Sequence, residues 1–207
     1  FHSFDLRDGT FLKGQGNLSD LSDRANEIFA GHVEGKSVLD IGAWDGFFSF
    51  EAERFGAKKV LATDHFCWSG AGWGTKAGFD LIHQHFDSKV DSLDVDLPDL
   101  SPAKLGTFDI VLFLGVLYHL KDPFGGLEKA AMMCGEQLIV ETAADMLHLE
   151  EPVMRYYLGS ALNEDATNFW APNRACLKNM LNELGFPVVD FLKQTDGPNR
   201  LLVRAKR

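Results

Sequence analysis

The chain has 207 residues, 45% hydrophobic and 24% charged, the composition of one globular domain large enough to bury a core. Its 20 basic and 30 acidic residues give a formal net charge of -10, which argues against a nucleic-acid partner, because phosphate binding needs clustered Lys and Arg and the densest cluster is Arg204, Lys206 and Arg207. No apolar run approaches the ~20 residues that span a bilayer, no signal-peptide pattern opens the chain, and Cys67, Cys134 and Cys176 stand far apart without a CxxC, so a cytoplasmic protein with reduced thiols and no membrane partner is expected.

Residues 1–35 read as an N-terminal arm and helix. Phe1, Phe4, Leu6 and Phe11 can tack the arm onto the body. Leu21, Ala25 and Ile28 mark one face of a short helix from Asp20 to Ala30, and Gly31 and Gly35 punctuate the approach to the first strand. From residue 36 onward strands and helices alternate. The strand candidates are 37–41, 59–63, 89–95, 108–114, 137–141, 187–192 and 200–205. The helix candidates are 46–55, 76–86, 124–133, 150–161 and 174–184. This alternation predicts an α/β fold, a mostly parallel seven-stranded sheet with helices on both faces. Asp122-Pro123 supplies an N-cap and an N1 proline, and Asn173 can cap the helix that Gly185 ends. Two segments are too long for plain connectors: 65–75, with Trp68 and Trp73, and a lid-like insertion at about 142–172.

Ser37-Val38-Leu39-Asp40-Ile41-Gly42-Ala43-Trp44-Asp45-Gly46 is the centre of the pattern: a buried strand ending in a glycine-bracketed turn, then a helix. Open α/β sheets bind ligands at the carboxyl ends of their strands. Gly42 lets the chain turn beside a ligand, and Gly46 lets the following helix pack close. A dinucleotide site wants a G-x-G-x-x-G loop and a bare helix N-terminus facing pyrophosphate. Here Trp44 replaces the middle glycine, and Asp45 stands where the pyrophosphate would lie. That carboxylate suits a phosphate-free cofactor carrying a sulfonium and an ammonium, with Asp40 holding the charged end through water. Asp64 ends the second strand, 22 residues after Gly42, and can take both ribose hydroxyls. Asp94 and Val95, at the third strand end, are placed for the adenine amino group. The alternative is that these acids are solvated caps.

The run Phe108–Leu114 is nearly continuous apolar, as a central strand requires, and enters Gly115-Val116-Leu117-Tyr118-His119. His119 near its ordinary pKa can take a proton from a hydroxyl or amine, or it is a structural histidine tied to Asp122. Glu141, ending the fifth strand, is a second candidate base or a residue bonding the lid backbone. His83, His85 and Asp87 do not converge on one helix side, so no metal is expected.

These segments, with Glu141-Thr142, Phe169-x-x-Pro172, Leu177-Lys178-Asn179 and Gly185-Phe186, resemble class I S-adenosylmethionine-dependent methyltransferases. They resemble in particular the group of the tRNA wobble-uridine carboxymethyltransferase, whose N-terminal part is longer than that of this chain. The resemblance implies a Rossmann-like class I methyltransferase fold over 36–207 and S-adenosyl-L-methionine as cofactor, leaving S-adenosyl-L-homocysteine. It implies that Tyr118, and Arg200 in Pro198-Asn199-Arg200-Leu201-Leu202, match residues that contact the extra carboxylate of carboxy-S-adenosylmethionine; Lys13 is a stand-in for a further basic contact. The expected activity is methyl transfer to O or N of a small metabolite or sugar-like acceptor. The cofactor-binding set is Asp40, Gly42, Trp44, Asp45, Gly46, Asp64, Asp94, Val95, Gly115, Tyr118 and Arg200; the catalytic set is His119, Tyr118 and Glu141. A carboxy-S-adenosylmethionine-dependent or RNA-modifying transferase is one alternative, and a non-catalytic adenosyl-binding regulatory protein the other. The sequence leaves the oligomeric state open.

Overall fold

The computed structural model describes residues 1–193 and 199–207; Pro198, in the segment singled out before the last strand, lies outside them. Eleven strands and six α-helices are described. The order is β1 (Phe4–Asp5), β2 (Phe11–Leu12), α1 (Leu18–Phe29), β3 (Ser37–Ile41), α2 (Phe47–Arg54), β4 (Lys59–Asp64), α3 (Ala77–His85), β5 (Asp91–Asp94), α4 (Pro102–Leu105), β6 (Phe108–Leu114), α5 (Pro123–Met133), β7 (Cys134–Ala143), β8 (Met154–Tyr156), β9 (Trp170–Pro172), α6 (Arg174–Glu183), β10 (Val188–Phe191) and β11 (Arg200–Lys206).

Seven strands form one sheet in the order β10-β11-β7-β6-β3-β4-β5. The pairs β3–β4, β3–β6, β4–β5 and β6–β7 are parallel, while β11 runs antiparallel to both neighbours. The chain leaves β3 toward β4 and β5, then returns to place β6 on the other side of β3. That reversal makes the carboxyl ends of β3 and β6 the crevice of the sheet.

Both faces are covered, which is why β6 reads as a continuous apolar run. Val111 and Phe113 pack under α5 and α6 with Leu127, Ala130, Leu177 and Leu181. Ile110 and Leu112 point the other way, under α1, α2 and α3 with Ile28, Phe50 and Phe79. Caps follow the sequence: Asp122 Oδ1 accepts from Gly125 N at 3.0 Å, and Asn173 Oδ1 accepts from Cys176 N at 2.9 Å. In the arm, Phe4 is buried against Phe47, whereas Phe11 is exposed.

The helix expected over 150–161 does not form. Its residues 154–156 instead pair antiparallel with 170–172, so the Phe169-x-x-Pro172 segment is also partly strand. Pro152 biases its predecessor toward extended backbone, and Gly159 takes φ +58°, both incompatible with a helix through the stretch. No helix among the described residues is long and apolar enough to cross a membrane. Cys67, Cys134 and Cys176 are free thiols.

Candidate functional site

The turn after β3 is held by geometry that only particular residues tolerate. Gly42 has φ +78°, and a Cβ there would lie 2.6 Å from Val116 Cγ2, so the turn lies hard against the end of β6. Gly46 has φ +83°, and a Cβ there would lie 2.6 Å from the Phe79 ring, so α3 comes this close to the start of α2 only because position 46 has no side chain. Gly46→Ala is expected to lose about 1–3 kcal/mol for the left-handed backbone alone, and more if Phe79 cannot move. Urea unfolding measures it; a loss below about 0.5 kcal/mol would refute the account of this turn.

Between the glycines Trp44 has φ +51°, a strained value for a tryptophan. Several contacts hold it there. Its N–H donates to Asp64 Oδ2 at 2.9 Å, and its carbonyl accepts from Trp68 Nε1 at 2.6 Å. Its ring is stacked with Trp73, centroids 5.7 Å apart at 27°. The other Asp64 oxygen, Oδ1, accepts from Cys67 N at 2.9 Å. The acid at the end of β4 thus ties the turn after β3 to the loop 65–75.

The acids differ in charge state. Asp40 is buried with one partner described, Ser49 Oγ donating to Oδ2 at 2.6 Å. Burial, with Asp64 and Asp45 adding repulsion, pushes its carboxyl up to about 7. Burial raises Asp64 as well. Asp45 is pushed up by burial but pulled down further by His2, ending at about 2. His2 Nδ1 meets Asp45 Oδ1, and His2 N donates to Oδ2 at 2.6 Å. The arm therefore reaches the turn that was read as cofactor-facing. Asp94 lies at the open rim, where its Oδ1 pairs with His65 Nδ1 at 2.9 Å. Next to it Val95 N donates to Asp64 O at 3.2 Å.

Across the crevice a second cluster forms at the ends of β6, β7 and β11. Gly115, φ +74°, leaves room between Tyr118 Oη and Glu141 Oε2, which a Cβ would meet at 3.6 and 3.9 Å. The Arg200 guanidinium grips Glu141 with two donors, Nε to Oε1 and Nη2 to Oε2, the latter at 2.7 Å. Its Nη2 also donates to Tyr118 Oη at 3.3 Å, and its Cζ lies 5.0 Å from the Tyr118 ring centroid. Both Glu141 oxygens thus serve Arg200, which fits a structural anchor better than a base. Burial pushes the Tyr118 hydroxyl up. Burial also lowers the Arg200 pKa, but the Glu141 charge outweighs it and holds the cation more firmly than usual.

His119 is not tied to Asp122. Its Nδ1 lies 3.0 Å from the carbonyl oxygen of Thr167. Burial pushes its pKa below 6.5.

Sequence reasoning missed Arg24, Thr167, Asp165 and His2. Arg24 is buried on α1 and within electrostatic reach of Glu141, Arg200 and Tyr118. Its spacing was a usable signal: positions 21, 24, 25 and 28 share one helix face, so a cation at 24 points inward. Lys13, the expected basic stand-in, is exposed. His83 and His85 bond the carbonyls of Val90 and Leu6 through Nε2 at 3.0 and 3.1 Å.

A family model described as a methyltransferase domain matches residues 15–190. The chain is 31% identical over 160 residues to a tRNA U34 carboxymethyltransferase of Dichelobacter nodosus, covering 75% of this chain and 47% of that one. A protein of the same name from Methylococcus capsulatus is 30% identical over 173 residues, covering 81% and 50%. The chain thus spans about half the length of these curated relatives. Among solved structures, the N-terminal domain of EvdMO1, crystallised with S-adenosylhomocysteine and D-fucose, superposes with a TM-score of 0.70 at 20% identity, covering 99% of this chain and 89% of that one. Magnesium protoporphyrin IX methyltransferase from Synechocystis PCC 6803, with bound S-adenosylhomocysteine, gives 0.66 at 17%, covering 94% and 90%. The strand order, the reversal at β3 and β6, and a family model matching most of the chain lead to one statement: this chain belongs to the methyltransferase-domain family and has the class I fold.

Proposed function

We propose that the crevice binds S-adenosylmethionine and that the chain transfers its methyl group to an oxygen or nitrogen of a small-molecule acceptor, leaving S-adenosylhomocysteine. The observation that carries this reading is the set of three buried carboxylates, Asp40, Asp45 and Asp64, around the Gly42–Gly46 turn at the sheet reversal. Asp40 and Asp64 in such a set disfavour a pyrophosphate and suit a sulfonium and an ammonium, while Asp45 is engaged by His2. In this reading Asp64 takes the ribose hydroxyls, Asp94 and Val95 border the adenine, Trp44 walls the turn, and Asp40 faces the ammonium through water.

Transfer needs the acceptor lone pair in line with the methyl–sulfur bond. The carbon–oxygen or carbon–nitrogen bond forms as the carbon–sulfur bond breaks, the electron pair goes to sulfur, and the acceptor proton must leave. Positioning supplies up to about 7–11 kcal/mol. The proton goes to His119, whose pKa burial lowers. Trp73, half exposed and 6.0 Å from the His119 ring, offers a flat wall for a ring-bearing acceptor. EvdMO1 in the presence of D-fucose, and a 1,6-didemethyltoxoflavin-N1-methyltransferase from Burkholderia thailandensis with bound 1,6-didemethyltoxoflavin, are neighbours consistent with such acceptors.

The test is an acceptor screen with methyl-labelled S-adenosylmethionine, followed by His119→Ala on the acceptor found. The expected result is a kcat lower by roughly 10²–10⁴ with cofactor affinity unchanged. An unchanged kcat would remove the base.

One observation favours a second reading. Arg200 donates to Tyr118 in a partly buried cluster within electrostatic reach of Arg24, which would suit an additional carboxylate on the cofactor. The relatives named as tRNA carboxymethyltransferases agree with it. Equal affinity for S-adenosylmethionine and its carboxylated form would argue against this reading.

A further inference from the structure

The segment between β7 and α6 reaches back over the end of β6 and touches His119. Nδ1 of His119 lies 3.0 Å from both the carbonyl oxygen and Oγ1 of Thr167. The hydroxyl proton of Thr167 is committed elsewhere, because Oγ1 donates to Asp165 Oδ1 at 2.8 Å. The same carboxylate oxygen accepts from Thr167 N at 2.8 Å, fixing the backbone of this turn. Nδ1 is therefore faced by two acceptors. A neutral imidazole carries one N–H, so the proton sits on Nδ1 and Nε2 keeps its lone pair.

The turn does not depend on Asp165 alone. Phe169 N donates to Tyr118 O at 2.8 Å, directly before His119, and Asn168 N donates to Asp165 O at 3.1 Å. Buried Asn168 donates Nδ2 to Leu162 O at 3.0 Å. Thr167 is thereby held at a fixed distance from the imidazole.

We propose that Thr167 and Asp165 are positioning residues for the transfer reaction, fixing His119 in the tautomer whose Nε2 can take the acceptor's proton. This rests on the reading of His119 as the base. In the step itself the acceptor O–H or N–H proton passes to Nε2, and the imidazolium then carries a proton on each nitrogen. Its Nδ1–H remains on the two Thr167 oxygens, and the Asp165 carboxylate behind them stabilises the new charge. The charged and titratable groups facing His119 are Tyr118 on its own turn, Asp165 on the segment, Glu141 on β7 and Arg200 on β11. Burial is the largest influence and lowers the pKa; the Thr167 bond and Asp165 oppose it.

Long-range proton–nitrogen NMR of the histidine rings, recorded on the full chain with S-adenosylhomocysteine across a pH titration, tests this directly. The wild type is expected to show His119 protonated on Nδ1 in its neutral form, with a pKa below 6.5. In Asp165→Asn the pKa should fall further, because an opposing negative charge is lost. In Thr167→Val the Nε2–H form should gain population, and Thr167→Ser should restore the wild-type spectrum. An Nε2–H resting tautomer in the wild type would overturn the proposal without any variant. So would an unchanged pKa and tautomer in both Asp165→Asn and Thr167→Val. The base reading fails separately: a normal kcat in His119→Ala beside the expected spectra would leave the tautomer assignment standing and remove its catalytic use.

Discussion

Glu141→Leu is expected to destabilise the fold by about 3–5 kcal/mol, because it leaves the largely enclosed guanidinium of Arg200 without its carboxylate partner. Glu141 is 1% exposed and spends both oxygens on Arg200. Arg24 lies close enough for its charge to be felt in the same cluster. Removing Glu141 takes away a negative charge that both cations feel. Arg200→Leu should cost a similar amount for the opposite reason, an uncompensated carboxylate. The double variant Glu141→Leu with Arg200→Leu should recover most of the loss, since two well-packed apolar groups need no partner. Urea unfolding of the three variants gives the cycle. Single-variant losses below about 1 kcal/mol would show that the pair behaves as a solvated one.

The second large effect concerns Asp40, and its sign depends on pH. Its carboxyl has an ordinary value of 3.8 and is pushed up to about 7 in the fold by burial first and by neighbouring acids after that. Between those values the unfolded chain releases a proton that the folded chain keeps. Stability therefore falls as pH rises from about 4 to about 7, and levels off above. Asp40→Asn removes that penalty while keeping an oxygen for Ser49 Oγ. The empty variant is expected to be more stable than wild type at pH 8, on the order of 4 kcal/mol, with the gap closing as pH approaches 4. Its affinity for S-adenosylmethionine should fall in the same experiment if Asp40 faces the ammonium as proposed. Thermal unfolding at pH 5 and pH 8, with and without cofactor, reads both. A variant less stable at pH 8 would contradict the burial argument.

The central sheet was legible because its signals were local and redundant. The apolar runs at 37–41 and 108–114 have no other reading when both faces are covered. Gly42 and Gly46 announced a turn whose torsions and close contacts the structure displays. The Tyr118, Glu141 and Arg200 cluster was legible residue by residue, but not as one unit. Residues 118, 141 and 200 meet only because β11 inserts antiparallel beside β7, with Arg200 opposite Ala143. The helix expected at 150–161 failed for a comparable reason: its pairing partner at 170–172 lies outside any local window. Thr167 and Asp165 carried no signal, since their role exists only where a distant segment folds back onto His119. Asp45 was read as a ligand-facing acid, and local sequence had no means of showing that His2 would meet it.

Isothermal titration calorimetry with S-adenosylhomocysteine, S-adenosylmethionine and NAD, on wild type and on Asp64→Ala, is the most direct test of the central claim. The account predicts saturable binding of the two adenosyl ligands, none of NAD, and an affinity weakened at least about 100-fold in Asp64→Ala, the equivalent of about 2.7 kcal/mol. Binding of NAD with no binding of S-adenosylmethionine would contradict it, and with it the reading of Trp44 and Asp45 as a turn that excludes pyrophosphate.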